Sequence, residues 1–117
     1  MLEPVELVGQ AREAGVRLLA ISDHDSLAAY RELTAPGAAP LPAGLELAPA
    51  VEINAVTSDL VADLTDGEVH VLGIGVDPSD AEFEAAIDYQ RSARRVRFGT
   101  TVDRLRALGL SIDRQVA

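Results

Sequence analysis

Val16-Arg17-Leu18-Leu19-Ala20-Ile21-Ser22 runs directly into Asp23-His24-Asp25-Ser26. The first seven residues are short and mostly apolar, the way a strand buried in a parallel sheet reads. The run then ends abruptly in three ionisable side chains. In open α/β sheets and barrels, sites are built where a strand's carboxyl end meets the following helix. This stretch therefore predicts both an α/β fold and a place in it for chemistry.

Upstream, Pro4 suits a first helical turn. Leu7, Val8, Ala11 and Ala14 recur at helical spacing, and Gly15 supplies a stop. Downstream, a second helix is expected from Ser26 to about Leu33, capped by Asp25 or Ser26. The Pro- and Gly-rich segment 35–44 reads as a loop. A second strand is expected over 45–54, interrupted at Pro49, and a third over 69–76 after a polar loop. Ser79-Asp80-Ala81-Glu82 has the pattern of a capping box and opens the longest helical stretch, about 80–108, with a break expected near Gly99. The helix–strand–helix–strand order argues for an α/β domain with largely parallel strands. Such folds usually open with a strand and close their sheet, so a strand before Pro4 and a continuation beyond 117 are expected to be missing.

Composition narrows the chemistry. The 117 residues are 48% hydrophobic and 25% charged, a balance that suits a globular domain rather than a disordered chain. Cysteine is absent, so disulfides and thiolate metal sites are excluded and any metal must be held by His, Asp or Glu. No apolar run approaches a membrane span, and the acidic N-terminus does not read as a signal peptide, so a cytoplasmic location is expected. The net charge of −9 is uneven. Residues 1–90 hold 17 acidic side chains against three Arg, a net of −14; residues 91–117 hold two against seven, a net of +5. Every basic residue is Arg, which can grip a phosphate with two parallel hydrogen bonds.

Three places in the chain can carry chemistry. In Asp23-His24-Asp25, a carboxylate can fix the tautomer of a metal-binding imidazole; equally, Asp25 can cap a helix beside an exposed His24. Glu52, between Val51 and Ile53, either faces solvent from an alternating strand or aims into a site. His70, between Val69 and Val71, can return beside Glu52 if the intervening residues form a hairpin-like connection, or can pair with a backbone carbonyl. The arginines Arg91, Arg94, Arg95 and Arg97 crowd one helix. With Phe83 at zero on a helical wheel, Arg94 falls near about 20°, within the stripe of Ile87, Phe98 and Leu105. An Arg there needs an anion, either a structural carboxylate or a bound phosphate. Asp88, three residues before Arg91, offers an ordinary surface pair.

Taken together the motifs resemble the PHP (polymerase and histidinol phosphatase) family. Leu19-Ala20-Ile21-Ser22-Asp23-His24-Asp25-Ser26 looks like its Asp-His-Asp signature, Ala50-Val51-Glu52-Ile53 like its Gly-Val-Glu-Ile strand, and His70-Val71-Leu72-Gly73 like its His-X-Leu-Gly element. Gly75-Val76-Asp77 and the Arg-studded helix resemble the branch of nucleoside 3′,5′-bisphosphate phosphatases and 5′-to-3′ exoribonucleases. The resemblance implies a fragment of a distorted (βα)₇ barrel: residues 1–78 as a partial barrel lacking its first strand, and 79–117 as an Arg-rich helical insertion. It implies two or three divalent ions, Mn²⁺, Zn²⁺, Fe²⁺ or Mg²⁺. His24 and His70 match metal ligands and Glu52 a carboxylate bridging two ions, with Asp23 and Asp25 behind them. Arg91, Arg94 or Arg95 would hold a substrate phosphate. The implied activity is hydrolysis of a phosphate ester on a small molecule or short oligonucleotide; the acidic 1–90 region disfavours long duplex contacts. The family's opening His-X-His, its later His ligands and its closing Asp-X-His have no match here, so the chain alone is expected to be inactive. A pseudoenzyme or noncatalytic PHP-like accessory domain, and an unrelated α/β binding domain, are the alternatives.

Overall fold

The computed structural model describes residues 2–56 and 68–112. In order these form α1 (Pro4–Glu13), β1 (Leu18–Ile21), α2 (Ala28–Thr34), β2 (Glu46–Val56), β3 (Glu68–Ile74) and α3 (Ala81–Ala107). The expected polar connection after β2, and the last residues from 113, fall outside the described part.

The three strands make one sheet in the order β1-β2-β3. β1 and β2 are parallel, with Leu18 opposite Glu46 and Ile21 opposite Pro49. β2 and β3 are antiparallel, from Ala50 opposite Ile74 to Val56 opposite Glu68. The expectation of largely parallel strands is thus right for one pairing and wrong for the other. A barrel is not present in these three strands. The reason lies in the connections: α2 carries the chain from β1 to β2, whereas only eleven residues separate β2 from β3, too few for an ordinary helical crossover. Pro49 does not interrupt β2, because it sits where pairing with β3 ends. Its carbonyl accepts the Gly75 N–H at 2.8 Å, and only the outermost bond of that ladder is lost to the missing donor.

Period-two alternation divides the sheet into unlike faces. Leu19, Ile21, Leu45 and Leu47 point toward α1 and α2, forming a core with Val8, Leu33 and Leu41. Further along the same face, Val51 and Ile53 meet Ile87 and Phe83 of α3, with Leu27 and Val76. Gly73 on β3 keeps this packing close, since a Cβ there would stand 3.1 Å from Val76 Cγ1 and 3.5 Å from Val51 Cγ1. The intervening residues, including Leu18, His24, Glu52, His70, Leu72 and Ile74, belong to the other face, where Leu18, Leu72 and Ile74 are 57–64% exposed.

The helix boundaries show where local chemistry overrides pattern. α1 starts at Pro4 and is closed by Gly15 at φ +84°, as its sequence predicts. α2 starts at Ala28, with Leu27 rather than Asp25 or Ser26 at the N-cap; Asp25 is engaged elsewhere, and Ser26 Oγ accepts the Ala28 N–H at 3.1 Å. α3 is capped by Asp80, whose carboxylate accepts the N–H groups of Glu82 and Phe83 at 2.9 and 3.1 Å. The capping box on Ser79 does not form, because the Ser79 hydroxyl donates to Asp77 at 2.6 Å. α3 continues through Gly99 without the expected break; one glycine costs an exposed helix only about 1 kcal/mol.

Candidate metal centre

The end of β1 continues as an irregular strand past Ile21. The Glu52 N–H donates to the Asp23 carbonyl at 3.0 Å, and the Asp25 N–H donates to the Glu52 carbonyl at 2.9 Å. His24 is therefore held in a parallel bridge directly opposite Glu52. On the other flank, antiparallel register sets His70 opposite Asn54, two residues beyond Glu52 and on the same face. Diagonal neighbours of this kind are within reach of long side chains. The strands alone thus bring His24, Glu52 and His70 together from three separate segments.

The side chains close the remaining distance. His70 Nδ1 lies 2.5 Å from Glu52 Oε1, and His24 Nε2 lies 3.6 Å from Glu52 Oε2. The two imidazoles meet edge to face, with ring centroids 5.7 Å apart. One donor atom from each of the three residues lies within 4.8 Å of the others. Donors of a tetrahedral ion stand roughly 3.4 Å apart, as bonds of about 2.1 Å require, so modest side-chain rotation is enough for all three to share a cation. Two imidazoles and one carboxylate are a donor set for a borderline divalent ion. Both His side chains are about half exposed, and Glu52 less so, leaving an approach from solvent. A further residue belongs to this surroundings: Asn54 Oδ1 is buried and has no hydrogen-bond partner. Strand register places this residue opposite His70. Strand alternation from Glu52 was the signal that could have found Asn54.

The remaining sequence candidates lie elsewhere around the turn. Neither Asp23 nor Asp25 hydrogen-bonds a histidine ring among the described residues. Asp23 is exposed, near Leu2, Pro4 and Leu7 at the start of α1. Asp25 is 2% exposed and adopts φ +51°, unusual for a non-glycine residue. Its Oδ2 accepts two hydrogen bonds from Arg94, from Nε at 3.0 Å and Nη2 at 2.7 Å. Arg91 donates to the Asp25 carbonyl at 3.3 Å and pairs with Asp88. Arg94 therefore turns inward, as its place on the helical wheel predicts, but it meets a structural carboxylate on the helix-covered side of the sheet rather than the mouth of the site formed by His24, Glu52 and His70. Arg95 is exposed, with no ion pair among the described residues.

Away from this region, Arg31 of α2 bridges to α3. It pairs with Glu84 and donates to the Pro78 carbonyl at 3.1 Å. The Arg31 hydrogen bond holds the Glu84 carboxyl below its usual range, and Glu84 in turn raises the Arg31 guanidinium. The Ser79 hydroxyl and N–H lower the Asp77 carboxyl in the same sense.

No protein-family model matches the chain. It is 29% identical over 110 residues to a 5′-3′ exoribonuclease of Haemophilus influenzae, an alignment covering 94% of this chain and 36% of that protein. Its fold is similar to an amidohydrolase from Chromobacterium violaceum solved with bound sulfate and no metal. The TM-score is 0.71 at 26% identity, over 95% of this chain and 36% of that one. The chain thus spans about a third of the length of each protein, and both are named as hydrolases. Among the described residues no helix is long and apolar enough to cross a membrane.

Proposed function

We propose that this chain is the metal-binding part of a PHP-type phosphoesterase, acting on a phosphorylated small molecule or short oligonucleotide. The observation that carries the reading is the convergence of His24, Glu52 and His70 on one open sheet face, from the three motifs that carry the family resemblance. Similarity to an exoribonuclease supports a phosphodiester substrate. In this reading residues 1–78 are part of a distorted (βα)₇ barrel, and 79–117 are a helical insertion.

Each residue has a distinct task. His24 and His70 supply neutral imidazole donors from opposite flanks of Glu52. The Glu52 carboxylate has one oxygen toward each His and would be the shared anionic donor between them. Bound Mn²⁺, Zn²⁺, Fe²⁺ or Mg²⁺ would supply Lewis acidity and charge neutralisation toward a phosphoryl oxygen. Arg95 is exposed and unpaired among the described residues, whereas Arg91 and Arg94 would have to leave Asp88 and Asp25 before meeting a substrate phosphate.

Three protein ligands are too few to hold two or three ions in a fixed cluster. The described residues by themselves are therefore expected to bind rather than to turn over substrate. That ligand count also favours a second reading, a noncatalytic metal-binding accessory domain. Equilibrium dialysis with a nucleoside 3′,5′-bisphosphate, with and without Mn²⁺, separates the two. The phosphoesterase reading expects Mn²⁺-dependent binding that Glu52→Gln abolishes, with turnover far below about 1 s⁻¹, the low end of ordinary enzymes. Mn²⁺ binding without any bisphosphate binding would favour the accessory domain.

A further inference from the structure

We infer that Arg94 is a positioning residue for His24, acting through Asp25 from the opposite side of the sheet; the inference rests on the metal-site reading of His24, Glu52 and His70. Asp25 is the one buried charged residue among those described. A buried carboxylate is costly unless a charge-assisted partner meets it. Arg94 meets it with two donors on a single oxygen, at 2.7 and 3.0 Å, while Arg91 reaches the carbonyl of the same residue. Asp25 thus joins α3 to the end of β1 through both its side chain and its backbone.

This attachment falls one residue from His24. The backbone bonds that seat His24 opposite Glu52 are the Glu52 N–H to Asp23 and the Asp25 N–H to Glu52. The second belongs to a residue at φ +51°, a conformation that persists in a non-glycine residue only where its surroundings enforce it. Arg94 supplies that enforcement. Removing the guanidinium leaves an unpaired buried carboxylate, and the turn relieves it by releasing Asp25 toward water. His24 then leaves its place beside Glu52 Oε2, while His70, held by the separate β2–β3 ladder, keeps its own. Arg94 and the ligand group lie on opposite sides of the sheet, so the effect passes through the backbone and needs no contact between Arg94 and any ligand.

The test is amide hydrogen exchange together with Mn²⁺ titration of the full 117-residue chain, comparing wild type with Arg94→Ala and Arg94→Lys. Arg94→Ala should lower protection at least tenfold at the Asp25 and Glu52 amides. It should leave Ile53 and Val71, within the β2–β3 pairing, as in wild type. Mn²⁺ affinity should weaken about tenfold. Arg94→Lys, which keeps a charge for Asp25 but loses the fork, should recover part of both. Unchanged protection at Asp25 and Glu52 would overturn the inference, and so would uniform loss across the sheet in both variants. Unchanged Mn²⁺ affinity with weakened bisphosphate binding would overturn it too, by making Arg94 a substrate contact. If wild type binds no Mn²⁺ and Glu52→Gln changes nothing, the metal-site reading fails, and the exchange data alone then decide whether Arg94 holds the turn.

Discussion

The two faces of the sheet treat charge in opposite ways. On the helix-covered face, Asp25 is matched by Arg94 and its carbonyl by Arg91, and Arg31 and Glu84 tie α2 to α3. On the other face, His24, Glu52 and His70 are matched mainly to one another and stand half open beside the exposed Leu72 and Ile74. Matched charges at a packed interface hold elements in register. Imidazole and carboxylate donors converging on an open surface are arranged to meet something else. The lesson is that an arginine-rich helix following candidate metal ligands in sequence is not by itself a substrate clamp: here Arg91 and Arg94 are already satisfied on the covered side of the sheet.

Truncating the packed face should have the largest effect. Ile87 is almost fully buried against Val51 and Leu27, so Ile87→Ala should cost about 3 kcal/mol of stability in urea unfolding. Leu72→Ala on the open face should cost no more than about 0.5 kcal/mol. Equal losses would mean that the open face is as well packed as the covered one. Next come the ligands. His70→Ala should weaken Mn²⁺ binding by more than tenfold in calorimetric titration, with little change in unfolding midpoint; a large loss of stability with unchanged binding would make His70 a structural residue.

The smallest effect concerns pH. Glu84 has its carboxyl held down in the folded state by Arg31. Its contribution is therefore present above the unfolded Glu value, about 4.3, and is lost as pH falls through the lower folded value. Asp77 acts in the same direction. Unfolding midpoints should fall between pH 5 and 3, and Glu84→Gln should flatten that fall slightly, as a partly exposed pair is worth about 1 kcal/mol or less. A steeper fall in the variant would contradict the assignment.

Much of this was legible in the sequence. The apolar run ending at Ser22, the alternation around Glu52 and the helical spacing after Asp80 located every element to within a few residues. His24, Glu52 and His70 were legible as candidates because each sits where a strand pattern meets ionisable chemistry. What was not legible arose from long-range partners. Nothing local marks Asp25 as buried at a positive φ; that depends on Arg94, 69 residues away. Asp25 looked like a helix cap for the same reason, since a short carboxylate before a helix usually is one. The antiparallel direction of β3 depends on the length of a connection rather than on any strand residue. Alternation from Glu52 puts Asn54 on the same strand face, but its place opposite His70 depends on the β2–β3 register.

The central claim is that His24, Glu52 and His70 share a divalent ion, and its most direct test is Mn²⁺ paramagnetic broadening in NMR spectra of the chain. At substoichiometric Mn²⁺, signals of His24, Glu52, Asn54 and His70 should broaden first, and Glu52→Gln should remove that selectivity. Broadening spread evenly over the acidic surface, at Glu3, Glu82 and Asp88 as strongly as at His24 and His70, would contradict the claim and leave only the diffuse attraction of a chain with a net charge of −9.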